Sequence, residues 1–367
     1  MNELLSKANL LIRKDRPPDK PWECITTFWH NKFLQLTFHT VGCRYSLAGS
    51  CTMCNYGAGT GYPPRIMLQE LEKICHSEIF LESDMVLLGG SGSFLDDQEI
   101  PEELQLNIMQ YIAQSHIQEI HIETHYKSVT ESKLKKIREI FANKKIYIEM
   151  GLETVTEEFQ KDILNKLIPL SELGKIIQQI HAYQMYTSLN ILLGMPFLSA
   201  GQQLADARAT IHWAMENKAD YIVIFPVNIQ PYTLFEWWHE HGFISEVSPW
   251  LLFILLFGLS EEELRTVCLA WYGNRSISYS DGKRTIVPYS CSECHPELLA
   301  FFNDFSSNFD LEYRKKILWK FSQKSFSCHC HQNILAKIET GGNADMLSAM
   351  ETAYHATKRW VEHDGSR

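Results

Sequence analysis

Apolar and polar positions follow two rhythms that take turns along residues 33–226 of this chain. Short runs dense in Ile, Leu, Val, Phe and Tyr read as buried strands at 33–40, 84–88, 117–122, 145–150, 187–193 and 221–226. Between them, apolar residues recur three and four apart, the spacing of one helix face, at 66–77, 102–115, 132–141, 157–164, 171–183 and 201–217. Strands that alternate with helices predict a parallel sheet, because each parallel connection needs a crossover long enough to hold a helix. Small and polar residues gather just after the strands: Gly89-Gly90-Ser91-Gly92-Ser93, Glu123-Thr124-His125, Gly151-Leu152-Glu153-Thr154 and Val227-Asn228. In parallel sheets ligands collect at the carboxyl ends of the strands, so this placement predicts an enzyme.

Outside that stretch the rhythm is lost. Residues 1–31 are mixed and carry Pro17, Pro18 and Pro21; they are expected to wrap the core, with Trp22 and Trp29 as anchors. After Tyr232 come an amphipathic helix (234–241), an apolar segment (250–264), a polar stretch of β character (276–287) and a last helix (344–361). The apolar run 250–257 is far short of the roughly 20 residues a membrane span needs, and reads as a buried helix. Three parts follow: an N-terminal wrap (1–31), a barrel (32–232) and a C-terminal extension (233–367).

Composition narrows the function classes. A chain of 367 residues with 45% hydrophobic and 12% aromatic content can bury a large core. A net charge of −10 disfavours general binding to phosphate backbones, which need clustered Lys and Arg. The first residues show no long apolar core of a secretory signal, so a reducing cytoplasm is expected for the ten cysteines. Clustered thiols in that compartment signify metal or catalysis rather than disulfides.

Two clusters stand out. Cys43, Cys51 and Cys54 follow the first strand in C-x₇-C-x₂-C spacing. Thiolates in a short loop after a strand suit zinc or an iron–sulfur cluster, and the spacing alone does not choose between them. Farther on, Cys291 and Cys294 form CxxC and Cys328 and Cys330 form CxC, with His295, His329 and His331 beside them. Four thiols in two close pairs are a strong metal signal, for a [4Fe–4S] cluster or for a structural zinc.

The first cysteine loop, flanked by Met53 and Tyr56, resembles the cluster loop of the radical S-adenosylmethionine (SAM) enzymes in the wider-spaced form of the Elongator-like group. The likeness extends through Ser91 to Asp96, Gly151 to Thr154, Asn228-Ile229-Gln230, Pro249-Trp250 and the closing CxxC and CxC pairs. Together these are similar to the radical SAM subunit of archaeosine synthase over roughly residues 30–335. The resemblance implies an α/β fold, a partial (β/α)6 radical SAM barrel with a cysteine-rich C-terminal extension. It implies a [4Fe–4S] cluster on Cys43, Cys51 and Cys54 with one iron open to SAM. It further implies SAM contacts from Met53, Gly89, Gly90, Ser91, Ser93, Glu153 and Asn228. Ser91 stands where such enzymes place an acid. A second [4Fe–4S] cluster on Cys291, Cys294, Cys328 and Cys330, with zinc as the alternative, is expected from the same superfamily. The implied partners are a one-electron donor such as flavodoxin or ferredoxin and a small-molecule substrate, with no membrane. Where the archaeosine enzymes are expected to carry a lysine before Pro-Pro-Phe, this chain has Gly194-Met195-Pro196-Phe197. With the acidic balance, this departure ranks a small nucleoside-like or natural-product substrate, and even sulfur insertion into one, ahead of a base in tRNA. A zinc-binding interaction protein without enzymatic activity is the remaining alternative.

Overall fold

Eight strands lie side by side in the order of the chain, in a computed structural model that describes residues 2–14, 22–28, 32–38, 40–56, 61–90, 92–270, 281–340 and 346–364. They are β1 (Trp22–Phe28), β2 (Lys32–Phe38), β3 (Met85–Gly90), β4 (Glu119–Glu123), β5 (Lys145–Glu153), β6 (Tyr186–Leu193), β7 (Tyr221–Pro226) and β8 (Val267–Leu269). The first pair is antiparallel and every later pair is parallel. The six predicted strands are β2 to β7. Two more were not predicted: β1, a hairpin arm on the N-terminal edge, and β8, a three-residue strand directly after the acidic helix Glu261–Thr266.

Side chains alternate across the sheet, and the two faces differ in chemistry. Leu34, Leu36, Val86, Leu88, Ile120, Ile122, Ile146, Ile148, Leu189, Ile191, Ile222 and Ile224 join one apolar cluster under the crossover helices. The opposite face carries Gln35, Thr37, Glu119, His121, Glu123, Tyr147, Glu149, Ser188 and Asn190. Phe33 on β2 packs in one cluster with Val223 on β7 and Cys268 on β8, so the open sheet curls until its far strands meet. Register stacks this inner face in layers. His121 lies beside Tyr147 and Tyr147 beside Tyr186; one layer nearer the carboxyl ends, Glu123 lies beside Glu149 and Glu149 beside Ser188. The result is a partial barrel with an aliphatic outside and a polar inside.

The helix Glu3–Arg13 was not foreseen. Asn2 caps it by accepting from the Leu4 amide at 3.1 Å, and Leu5 and Ala8 face inward against the C-terminal helix Met346–Asp364. The side chain of Trp22, and Trp29 and Ser276 to Ser280, lie outside the described residues. The apolar run forms the buried helix Pro249–Phe257 as expected, and among the described residues no helix is long and apolar enough to cross a membrane.

Arg314 on the helix Leu311–Ser322 fastens β8 to the C-terminal helices. Its guanidinium is fully buried and donates to the carbonyls of Leu264 (2.6 Å), Val267 (2.9 Å) and Asn308 (2.6 Å), between the rings of Phe305 and Phe309. Arg314→Ala leaves those carbonyls buried without donors and opens a cavity, each a costly defect. The expected loss is on the order of 3 kcal/mol or more, read as a lower thermal midpoint. A variant that melts with the wild type would show that the carbonyls find other donors.

Candidate functional site

Between β2 and the helix Pro64–Cys75, the chain lays its first three clustered cysteines across the carboxyl end of the sheet. Cys43 begins a single helical turn, Arg44–Leu47, and its amide is closed back onto the Tyr56 carbonyl at 3.1 Å. A Cβ on Gly92, just past β3, would lie 2.3 Å from the Cβ of Cys43, so only glycine lets the strand end approach the thiol this closely. Cys51 adopts a left-handed backbone with φ of 59°, a strained state for a residue with a side chain.

The surroundings hold that conformation. The guanidinium of Arg13, on the N-terminal helix, donates to the carbonyl oxygens of Ser46, Ser50 (2.9 Å), Cys51 (2.7 Å) and Cys54 (2.7 Å). Asn9 and Asn165 both donate to the Gly49 carbonyl, at 2.8 and 3.0 Å. Thr52 donates through its amide to Leu164 and through its hydroxyl to Ile163, and its own carbonyl accepts from Phe235. Asn55 donates to Pro231 at 2.8 Å. Neither Arg13 nor Asn165 was singled out from the sequence. The signal available for Arg13 was one arginine at the end of an amphipathic stretch, Leu4, Leu5, Ala8, Leu11 and Ile12.

Burial raises the Cys43 thiol to about 11 and the Cys51 thiol to about 12, and each also feels the charge of Cys54. Without a cation these groups stay protonated, so their donor chemistry suits a cationic metal centre that holds them as thiolates. Lys166 supplies a charge next to them. Its ammonium donates to Glu153 at 2.7 Å and to the Gly151 carbonyl at 3.1 Å. Burial opposes its charge, but Glu153 and the sulfurs of Cys51 and Cys54 hold its pKa above the ordinary lysine value.

Carboxylates crowd the rest of the mouth. Glu99 accepts from the Thr40 hydroxyl and the Ser93 amide, both at 2.9 Å, and burial still pushes its pKa up to about 7. Glu123 is pushed to about 8, by its recessed position first and then by Glu149, Glu153 and Glu99. Deeper in the barrel, buried His121 lies 3.3 Å from Glu119 and 3.6 Å from Glu149; burial works against its charge, but the two carboxylates raise its pKa. His125 stacks on Tyr45 with ring centroids 4.0 Å apart and is lowered to about 3, by burial and then by Lys166, Lys127 and Arg44, so it is neutral.

The residues expected to contact SAM fall as follows. Gly89 and Gly90 end β3 against carboxylates; a Cβ there would sit 2.8 Å from Glu123 and 2.7 Å from Glu99. Glu153 ends β5 with a φ of 66° and is paired with Lys166. Ser93 sits at the same end, but its hydroxyl is engaged with Thr124 at 2.8 Å and Ser128 at 3.2 Å. Met53 packs against the apolar cluster of Leu164, Leu192 and Phe235, and Asn228 is half-buried one residue past Val227. Ser91 lies outside the described residues. The second cysteine set converges elsewhere: the sulfurs of Cys291, Cys294, Cys328 and Cys330 all lie within 4.8 Å of one another.

No family model matches the chain. It is 30% identical over 265 residues to archaeosine synthase subunit beta of Methanosarcina acetivorans, an alignment spanning 68% of this chain and 76% of that protein. To archaeosine synthase subunit beta of Thermococcus kodakarensis it is 30% identical over 224 residues, 58% of this chain and 66% of that one. Among solved structures, methylornithine synthase (PylB) overlaps with a TM-score of 0.48 and 16% identity, covering 72% of this chain and 69% of the other. Elp3 of Methanocaldococcus infernus overlaps with a TM-score of 0.44 and 14% identity, covering 71% and 59%.

Two measurements test the electrostatics and the loop. Arg13→Gln loses the charge and the fork that gathers four carbonyls, so after reconstitution with iron and sulfide it should retain several-fold less iron through gel filtration. Wild-type iron retention in the variant would show that the loop holds itself. Glu123 makes stability depend on pH: the unfolded chain releases its proton near 4.5, while the folded chain keeps it up to about 8. Its contribution is therefore complete below 4.5 and is lost as pH rises through about 8. Glu123→Gln, always neutral, should show a shallower fall in thermal midpoint over that window. A slope equal to the wild type's would acquit Glu123 and move the effect to its neighbours.

Proposed function

The chain belongs to the family of the archaeosine synthase beta subunits, a radical SAM family, and on that premise we propose that it reductively cleaves SAM and abstracts hydrogen from a nucleoside-like substrate. The observation that carries this reading is the loop of Cys43, Cys51 and Cys54, laid across the carboxyl end of a parallel sheet with Gly92, just past β3, against Cys43. Cys43, Cys51 and Cys54 would hold a [4Fe–4S] cluster, which would supply the electron for reductive cleavage of SAM and hence the hydrogen-abstracting chemistry. The chain's own residues do the rest. Arg13, Asn9 and Asn165 fix the loop's carbonyls and so aim the thiols. Glu153 and Lys166 form a preset ion pair at the mouth, suited to the amine and carboxylate of an amino-acid group such as SAM carries. The aliphatic outer layer and the buried helix Pro249–Phe257 keep bulk water from one side of the barrel, which protects a radical from quenching.

A small nucleoside-like or natural-product substrate is the first reading of the substrate. The net charge of −10 disfavours a polyanion. One observation favours the second reading, a base within tRNA: two relatives are named archaeosine synthase subunits. That name also supports a partner chain. In the cytoplasm a flavodoxin or ferredoxin would deliver the electron. Retention of tRNA by the protein at moderate salt decides for the second reading, and its absence for the first.

Replacing Cys43, Cys51 and Cys54 together by Ala tests the core of the proposal. The variant should lose about four irons per chain, because three thiolates hold the cubane. It should make no 5′-deoxyadenosine from SAM and dithionite. Formation of 5′-deoxyadenosine at the wild-type rate would remove the radical SAM assignment.

A further inference from the structure

The geometry points to a single tetrahedral zinc ion on Cys291, Cys294, Cys328 and Cys330, a closed structural site rather than a second iron–sulfur cluster. Distances decide between the two. Four thiolates about 2.3 Å from one zinc ion form a tetrahedron with edges of about 3.8 Å. In a cubane each thiolate sits on a different iron, and the sulfurs stand about 6 Å apart. Here all four sulfurs lie within 4.8 Å of one another, and Cys291 and Cys294 are 3.6 Å apart. Every pair would have to open by about 1 Å or more to admit a cubane. Cys43, Cys51 and Cys54, although each feels another's charge, form no such compact set. The same chain therefore sets its two cysteine groups at two different spacings.

The ligand set is also complete. None of the neighbouring histidines joins the four sulfurs. His331 instead stacks on Trp250 with centroids 4.4 Å apart, and His295 packs on Tyr289 at 4.5 Å. Four thiolates with no open position are the pattern of a structural zinc, whereas a catalytic one keeps a place for water or substrate. Zinc with four thiolates carries a net charge of −2, and the surroundings answer it. The indole N–H of Trp250 donates to the Cys294 sulfur at 3.3 Å, and the Ser290 hydroxyl lies 3.0 Å from the same atom. Each cysteine pair also opens a helix, His295–Ser307 and Cys330–Thr340, whose amino-terminal ends favour negative charge.

The site has a mechanical task. The CxxC turn and the CxC turn are separated by the helices His295–Ser307 and Leu311–Ser322, and the Ser327 amide and hydroxyl donate across the gap to Glu293. Both turns close over Trp250, which is 2% exposed and belongs to the buried helix Pro249–Phe257. A metal here clips the C-terminal helices onto the helix that backs the barrel. It bears on the proposed function as well, in a consequence that rests on the radical SAM reading. Zinc carries no electron and gives up no bridging sulfide, so this site is no auxiliary cluster that could supply sulfur. Hydrogen abstraction followed by bond cleavage or rearrangement then fits the chain better than sulfur insertion.

The test is a metal count on the full chain, purified without oxygen and reconstituted with iron and sulfide. About four irons and one zinc per chain are expected. Growth with cobalt in place of zinc should give the intense absorption of tetrahedral thiolate-bound cobalt, which persists after the irons are chelated away. Cys328→Ser should lose the zinc, keep about four irons and melt at a lower temperature. About eight irons with no zinc would overturn the inference, as would a Cys328→Ser protein that loses about four irons. One zinc with no iron leaves the zinc site standing and removes the radical SAM reading instead.

Discussion

Four carbonyl oxygens of the loop that carries Cys43, Cys51 and Cys54 point at one guanidinium, that of Arg13. This loop has no regular backbone ladder, and its carbonyls need donors from elsewhere. Arg13 is suited to this because it presents five N–H groups in a rigid plane and cannot lose its charge. Its positive charge lies among carbonyl dipoles that would otherwise surround the thiols with negative potential. The N-terminal helix exists in this place because Leu5 and Ala8 bury against the C-terminal helix Met346–Asp364. The C-terminal helix in turn steadies the N-terminal one: Tyr354 links Asn2, which it meets at 3.0 Å, to the Asp162 carbonyl.

The polar inside of the barrel follows from its incompleteness. A closed barrel of this size fills its centre with branched aliphatic side chains. This sheet stays open between β1 and β8, so its inner face can carry Glu119, His121, Glu123, Glu149 and Asn190. Those groups repel one another unless protons or cations intervene, and the structure shows three remedies. Glu149 accepts from Asn190 at 3.0 Å, Glu153 pairs with Lys166, and Glu123 keeps its proton to about 8. Glu149 and Glu153 both act electrostatically on Glu123. A change in charge at the mouth, such as the arrival of a sulfonium cofactor, is therefore felt at several of them together.

Six strands were legible in the sequence because their outward residues are β-branched or leucine and their ends are marked by Gly, Glu and Asn. β8 was not legible, since Val267-Cys268-Leu269 is too short to show a period and gains its place from β7 and from Arg314. β1 was hidden for another reason: Trp22-Glu23-Cys24-Ile25 alternates only weakly and pairs antiparallel on an edge, outside the helix–strand rhythm. The site was half legible. Cysteines announce themselves by spacing, and Glu153 by its place after a strand. Arg13 and Lys166 look like ordinary surface charges in a sequence, because what makes them important is the carbonyls and thiols that the fold brings to them. Glu99 belongs with these; it reaches the mouth through a loop, not from a strand end.

The two cysteine groups show what spacing in a sequence conveys and what it does not. CxxC and CxC pairs say that a metal is held, but the separation of sulfurs depends on how the turns are pressed together. At the C-terminal site the pressing agents are Trp250 below and the Glu293–Ser327 contact alongside, and they leave room for one ion. At the barrel mouth the three cysteines form no such compact set: Gly92 lets the strand end approach Cys43, Cys51 is held left-handed, and Arg13 braces the loop. A cofactor that needs one iron free cannot sit in a ligand set that closes on itself, and a clip that only has to hold gains nothing from an open position. The chain separates these demands by about 240 residues and a whole barrel, so strain at the reactive site is not relieved by the rigid one.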